Sequence, residues 1–158
     1  MRLLLFLLIT TIVAVAGCAS KTATDGGEFG EIEFKSAENK ATIFKSASCG
    51  CCTNYVAGLE RKGFEVETRN MNDLSSIKAR YDIPRTMESC HTTVVGDYFI
   101  EGHVPFEAVS KLLQEMPAVD GIALPGMPEG SPGMVGKKRG AFIVYSLSNG
   151  KHSEFIRI

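Results

Sequence analysis

Residues 40–62, KATIFKSASCGCCTNYVAGLERK, decide how this chain folds. Lys40–Ala47 has an apolar centre and is predicted as a strand, and Thr53–Lys62 places its apolar residues on one face of a helix. Three cysteines lie at this strand-to-helix junction: Cys49, Cys51 and Cys52. A cluster of thiols at such a junction is typical of a site for redox chemistry or for a thiophilic metal.

The rest of the chain continues the alternation of strands and helices. The pattern predicts, in order, a strand over Phe64–Met71, a helix over Asp73–Tyr81 capped by Asp73, a hairpin of Thr92–Val95 and Tyr98–Ile100, a helix over Phe106–Met116, a loop over Pro117–Gly140, and a final hairpin of Ala141–Leu147 and His152–Ile158. The order β-α-β-α-β-β-α is that of an α/β thioredoxin-like domain, here with a C-terminal loop and β-hairpin extension. In that fold the residues entering the third strand lie beside the N-terminus of the first helix. We therefore expect Cys90 and His91 to join the three cysteines.

Thiolates are favoured at this junction. Cys51 and Cys52 are expected in or just before the first helical turn, where unpaired N–H groups and the helix dipole stabilise an anion. A dithiol enzyme needs one attacking and one resolving cysteine, and Cys49 with Cys52 would suffice. The remaining thiols and His91 are then in excess. This excess favours several Cu(I) ions bridged by sulfur, because one Cu(I) ion needs only two or three soft ligands.

The N-terminus has the features of a bacterial lipoprotein signal. A short positive start is followed by an apolar run too short to span a bilayer comfortably, and small residues precede Cys18. The expected organisation is a signal peptide over residues 1–17, a lipidated Cys18 with a polar linker over 18–39, and one domain over 40–158. The protein is thus expected in the periplasm on a lipid anchor. The outer membrane is favoured over the inner because no aspartate follows Cys18.

Composition and compartment limit the partners and the state of the thiols. The formal net charge is −1 and no basic run is present, so nothing favours a nucleic-acid partner. An oxidising compartment makes disulfides the default for the four cysteines other than Cys18. If two bridges form, Cys49–Cys52 and Cys51–Cys90 are the most natural pairs, because adjacent cysteines pair poorly.

Three motifs, in this order and spacing, resemble a known family: SASCGCC at 46–52, SCHTTVVGDYFIEGHVP at 89–105 and LPGMPEGSPGM at 124–134. Over roughly Ala41–Gly136 the chain is similar to the periplasmic CopG-type copper-resistance proteins, a metal-binding family that is distinct from the repressor of the same name. The resemblance implies a thioredoxin-like fold that holds copper, with several cuprous ions bridged by sulfur, and a role in interconverting Cu(I) and Cu(II). By motif match the metal ligands would be Cys49, Cys51, Cys52, Cys90 and His91.

Three further residues are candidates for an additional ligand or for a group that orients one. His103 precedes a helix, where a role in capping is the simpler interpretation. Met127 and Met134 lie in the Gly- and Pro-rich loop, and thioethers select Cu(I), but the same residues also suit packed irregular structure. A loop this long in a compact domain is more often functional than filler.

The leading hypothesis is a lipid-anchored periplasmic protein that binds Cu(I) and supports copper resistance by sequestration or by Cu(I)/Cu(II) conversion. Periplasmic copper donors or acceptors would be its partners. One rival is a thiol–disulfide oxidoreductase that uses Cys49 and Cys52, and another is a zinc- or disulfide-stabilised module without chemistry. The residues do not distinguish copper storage from turnover as a copper-linked oxidoreductase.

Overall fold

The computed structural model describes residues 39–158. The expected signal peptide, the lipidated Cys18 and nearly all of the linker lie outside the described residues, so those expectations stay predictions. Within residues 39–158, no helix is both long enough and apolar enough to cross a membrane.

The described part of the chain forms one sheet of seven strands with three α-helices and one short 3-10 helix, Arg85–Met87. In chain order the elements are β1 (Lys40–Lys45), α1 (Gly50–Arg61), β2 (Glu65–Asn70), α2 (Ser75–Arg80), β3 (His91–Val95), β4 (Tyr98–Glu101), α3 (Phe106–Glu115), β5 (Gly121–Ala123), β6 (Ile143–Ser148) and β7 (Lys151–Arg157). The strands lie side by side in the order β2-β1-β3-β4-β5-β6-β7. This confirms the predicted thioredoxin-like order and its C-terminal hairpin.

The pairing of β1 determines where the cysteines lie. β1 runs parallel to β2 on one side and antiparallel to β3 on the other, and Lys45 is opposite His91. The chain leaves β1 after Lys45 and enters α1 at Gly50, while β3 begins at His91. The N-terminus of α1 therefore lies beside the residues that lead into β3.

The main hydrophobic core joins α1 and α3 to the sheet. Tyr55 and Leu59 of α1 are fully buried in the same cluster as Val109 and Leu112 of α3. The two helices approach closely at Gly58, where an added Cβ would overlap the Phe106 ring. A second, smaller cluster contains five buried residues: Ile83, Met87, Phe99, Ala123 and Leu147.

β5 and the start of α2 differ from the predicted elements. The predicted loop over Pro117–Gly140 contains the three-residue strand β5, which pairs with β4 in parallel and with β6 in antiparallel register. Three residues are too few to show a periodicity, and the strand forms because the neighbouring strands offer it partners on both sides. α2 begins at Ser75, later than predicted, and its N-cap is Leu74 rather than the predicted Asp73. The Asp73 carboxylate lies before the helix and accepts the Ser75 N–H at 2.9 Å.

Replacing Gly121 by Ala should destabilise the domain by about 1–3 kcal/mol, the usual cost of overpacking. A Cβ at this position would overlap the Phe99 carbonyl oxygen and lie 2.6 Å from Phe99 Cγ. The control is Gly140→Ala, where a Cβ meets no heavy atom within 4 Å. Urea unfolding followed by circular dichroism measures both free energies of unfolding. Equal stability of the two variants would show that β5 is not tightly packed on β4.

Candidate metal centre

The first turn of α1 carries three of the four cysteines of the centre. Cys49 is the N-cap residue, and its Sγ accepts the N–H of Cys52 at 3.3 Å. Cys51 and Cys52 lie inside the first turn because α1 begins at Gly50, three residues earlier than the apolar pattern indicated. The sulfur atoms thus lie where helix N–H groups stabilise negative charge.

One of the two predicted disulfides is present. Cys49 and Cys52 are bonded, with their Cα atoms 5.3 Å apart. The other predicted bridge, Cys51–Cys90, is not formed, and both of these residues are free thiols. Cys51 Sγ lies 3.5 Å from Cys49 Sγ, whereas Cys90 Sγ lies 3.5 Å from Cys52 Sγ. The Cys51 thiol therefore contacts one sulfur of the disulfide, and the Cys90 thiol contacts the other.

Two buried imidazoles complete the centre. His91 and His103 are both fully buried, and their ring centroids are 4.7 Å apart in an edge-to-face arrangement. Cys90 Sγ lies 3.4 Å from His91 Nδ1 and 3.0 Å from His103 Nε2. Two overlapping groups of ligand atoms each lie within 4.8 Å of one another: Cys49, Cys51, Cys52 and Cys90, and Cys52, Cys90, His91 and His103.

The imidazole of His103 is oriented so that the lone pair on Nε2 is directed at Cys90 Sγ. Its Nδ1 lies 2.7 Å from the carbonyl oxygen of Pro132, which can only accept, so Nδ1 carries the proton. His103 Nε2 is then unprotonated and accepts the Cys90 S–H. An imidazole oriented by a carbonyl in this way is the usual form of a histidine metal ligand.

His91 has an unusual environment for a buried imidazole. Its Nε2 has no hydrogen-bond partner among residues 39–158, a situation that is rare in folded proteins. Burial, and then electrostatic repulsion from the neighbouring His103, Lys78 and Lys45 side chains when they carry a proton, holds the pKa of His91 well below its usual value. The ring is therefore neutral at pH 7, which is the form that binds a metal.

Burial also determines the protonation of the two remaining groups. It lowers the pKa of His103, so both imidazoles are neutral. Burial, and then the neighbouring Cys51, raises the pKa of the Cys90 thiol to about 11. Without a cation this thiol is protonated at neutral pH, and a metal that binds here displaces the proton.

The loop after β5 covers the N-terminus of α1. Its Gly133 carbonyl accepts a hydrogen bond from Asn54 Nδ2 at 3.3 Å. Gly133 has φ +83°, and an added Cβ would lie 2.6 Å from the carbonyl oxygen of Cys51. The adjacent Pro132 holds His103, as described above. The expectation that this long segment is functional thus has a structural basis in its contacts with the centre.

The structure places the two loop methionines differently. Met127 is 54% exposed and lies at the surface. Met134 is partly buried and follows Gly133, the residue that packs on α1. Met134 therefore lies next to the part of the loop that covers the centre, whereas Met127 faces solvent.

Two residues beside the centre were missed by sequence reasoning. Glu101 and Lys78 form a buried ion pair beside the Cys90–His91 segment. Glu101 ends the apolar run of β4 at an inward-facing position, and a charged residue at such a position is the signal that could have revealed it.

The sheet order defines a thioredoxin-like protein. Four sulfurs and two neutral imidazoles at the start of α1 give it a cysteine-rich centre suited to a soft metal.

Comparison with known proteins identifies the family. The family described as "Protein of unknown function, DUF411" matches residues 87–134. Two solved structures named "Copper resistance protein copG", Form 2 and Form 1, are 38% and 39% identical to this chain, each with a TM-score of 0.69. They match 75% of this chain and 97% and 96% of their own lengths. No curated protein matches significantly. The chain belongs to the CopG-type copper-resistance family, as the three motifs indicated.

Gly133→Ala should displace the covering loop, because a Cβ there overlaps the backbone of α1. If the overlap costs about 1–3 kcal/mol, the population of the open loop should rise by roughly 5-fold to 160-fold. The two free thiols should then react correspondingly faster with a thiol reagent under conditions where opening limits the reaction. The control is Gly63→Ala, which also has a left-handed backbone, φ +89°, but has open space around the added Cβ. A rate equal to that of the control would mean that the loop does not shield the centre.

Proposed function

We propose that this protein binds Cu(I) at the cysteine–histidine centre and contributes to copper resistance. The observation that carries the proposal is the convergence of four sulfurs within 4.8 Å of one another beside two buried, neutral imidazoles. Thiolate and imidazole are ligands that Cu(I) prefers over hard oxygen donors. The two similar solved structures are named as copper resistance proteins, which supports the same metal.

The donor set is larger than one ion requires. Cu(I) takes two or three soft ligands, and six donors meet here, so thiolates would bridge two or more ions. The ligands would be the five that the motifs indicated, Cys49, Cys51, Cys52, Cys90 and His91. We add His103, because its Nε2 lies 3.0 Å from Cys90 Sγ and its tautomer is held by Pro132.

Full copper loading would follow reduction of the disulfide. The structure describes two free thiols and one bridge, Cys49–Cys52, and two electrons with two protons convert that bridge into two more thiols. The protein would then hold Cu(I) either as a store or as a site where Cu(I) and Cu(II) interconvert. Periplasmic copper donors and acceptors would exchange metal with it, and the lipid on Cys18 would anchor it to the membrane, most favourably the outer one.

A second function is favoured by one observation, the disulfide at the N-terminus of α1. Cys49 and Cys52 would be the reactive pair of a thiol–disulfide oxidoreductase. Such an enzyme would not need Cys51, Cys90 or His91, nor would it need His103. Copper binding and disulfide turnover can therefore be separated by substitutions.

The decisive measurement is an anaerobic titration of the reduced full chain, carrying Cys18→Ser, with Cu(I) against a competing chelator. Copper per chain and free thiols are counted in the same samples. Cys51→Ser should lower both the number of ions bound and their affinity, because a bridging sulfur is lost. Unchanged stoichiometry and affinity would sink the bridged-cluster proposal. Weak uptake of Cu(I) by the unsubstituted protein, together with rapid exchange of the Cys49–Cys52 disulfide, would favour the oxidoreductase instead. A preference for zinc over Cu(I) would favour the zinc-stabilised module.

His103→Gln should weaken Cu(I) binding by at least roughly tenfold. Loss of a group that merely orients a ligand typically costs about 10–100-fold in metal affinity, so loss of a ligand should cost no less. The matched control is His152→Gln, at an exposed histidine on β7. The same competition titration compares the two variants. Equal affinities would remove His103 from the ligand set.

A further inference from the structure

Two charged side chains beside the centre have no part in the proposed function so far. The Glu101 side chain is fully buried, and that of Lys78 is 8% exposed. The two form an ion pair between Glu101 Oε1 and Lys78 Nζ. A buried pair is weak evidence for stability, because desolvation offsets most of the attraction. A role in organising the neighbouring polar groups explains its presence better.

The Glu101 carboxylate holds both ends of the Cys90–His91 segment. Oε1 accepts the backbone N–H of Ser89 at 2.6 Å, and Ser89 immediately precedes Cys90. Oε2 accepts the hydroxyl of Thr92 at 2.6 Å, and Thr92 immediately follows His91. One rigid carboxylate thus bridges the residues on either side of two proposed ligands.

The end of β4 also leads directly into His103. The N–H of Gly102 donates to the carbonyl of His91 at 3.0 Å, and His103 is the next residue. Gly102 has φ +79°, and an added Cβ would overlap the Ser89 side chain, so the two segments are in close contact. The contacts made by Glu101 and Gly102 therefore set the position of Cys90 relative to His103, whose ligand atoms lie 3.0 Å apart.

We propose that Glu101, paired with Lys78, is a positioning residue that holds Cys90 and His91 in register with His103 for binding a soft metal cation. This inference rests on the proposed function. Lys78 reaches the carboxylate from α2 and supplies the charge that a buried anion requires. With that charge in place, both carboxylate oxygens are available to accept from Ser89 and Thr92.

The strand β3 offers a matched pair of substitutions for the test. Thr92→Val removes the hydroxyl group that donates to Glu101 Oε2 and nearly preserves the side-chain volume. Thr92→Ser retains the hydroxyl group. Thr93 is the next residue on the strand and is also fully buried. Its hydroxyl has no hydrogen-bond partner within residues 39–158, so Thr93→Val makes the same chemical change without touching the carboxylate.

The experiment compares these variants and Glu101→Gln in the full chain carrying Cys18→Ser, with Cu(I) as the probe. We expect Thr92→Val and Glu101→Gln to lower Cu(I) affinity by roughly 10–100-fold, the usual effect of losing a group that orients a ligand. X-ray absorption should show a reduced nitrogen contribution at the copper in both variants. Thr92→Ser and Thr93→Val should match the unsubstituted protein. If Glu101→Gln does not fold, the double variant Lys78→Met/Glu101→Gln is measured in its place, because it leaves no buried lysine without a charged partner.

A metal-free measurement separates this inference from the proposed function. The imidazole ¹⁵N resonances of His91 and His103 report the position of both rings in the reduced apoprotein. Thr92→Val and the Glu101 variant should shift these resonances, and Thr93→Val should not, whether or not the protein binds copper. If Thr92→Val behaves like Thr93→Val in both measurements, the positioning role is overturned. If the unsubstituted protein takes up no Cu(I) but the resonances shift as expected, the proposed function fails while the positioning of the segment stands.

Discussion

The antiparallel pairing of β1 with β3 is the contact on which the centre depends. It brings the turn after β1, which carries Cys49, against the segment that leads into β3, although 38 positions separate Cys52 from Cys90 in the chain. Thiolates repel one another and cannot assemble a site by themselves. A hydrogen-bonded strand pair holds the four sulfurs close together without a cation, so that binding of a metal there would not have to order the chain at the same time.

Burial keeps the two imidazoles of the centre in the neutral form, which is the form that can bind a metal. Tyr55 of α1 packs against both imidazoles, with ring centroids 4.7 Å from His91 and 5.7 Å from His103. Its hydroxyl donates to the carbonyl of Val104 at 3.0 Å, so this large side chain closes the interior face of the centre without leaving a polar group unpaired. The rings stay neutral, and a cation that bound here would compete with a proton for Cys90.

The sequence predicted the features that depend on local pattern. The strand–turn–helix unit around Cys49 and the expected approach of Cys90 both follow from element order, and the structure confirms them. The features it missed or left open depend on contacts between distant segments. β5 is too short to show a period. His103 was a candidate for an additional ligand, but capping was the simpler interpretation because the sequence does not show its contact with the carbonyl of Pro132. Glu101 gave only a faint signal, because a single acidic residue at the end of a strand does not reveal what it contacts. The pairing that was most natural if two bridges formed is only half present: Cys51 and Cys90 remain free thiols, and the sequence spacing does not show that Cys90 Sγ lies 3.0 Å from His103 Nε2.

The two outermost strands have a consequence for how the molecule behaves at high local concentration. β2 reads EVETRN and β7 reads KHSEFIR, and most of their side chains are exposed. Charged residues along the open rows of backbone N–H and C=O groups discourage another copy from adding its own strand. Many copies of this domain can therefore be crowded together without the sheet of one molecule continuing into the next.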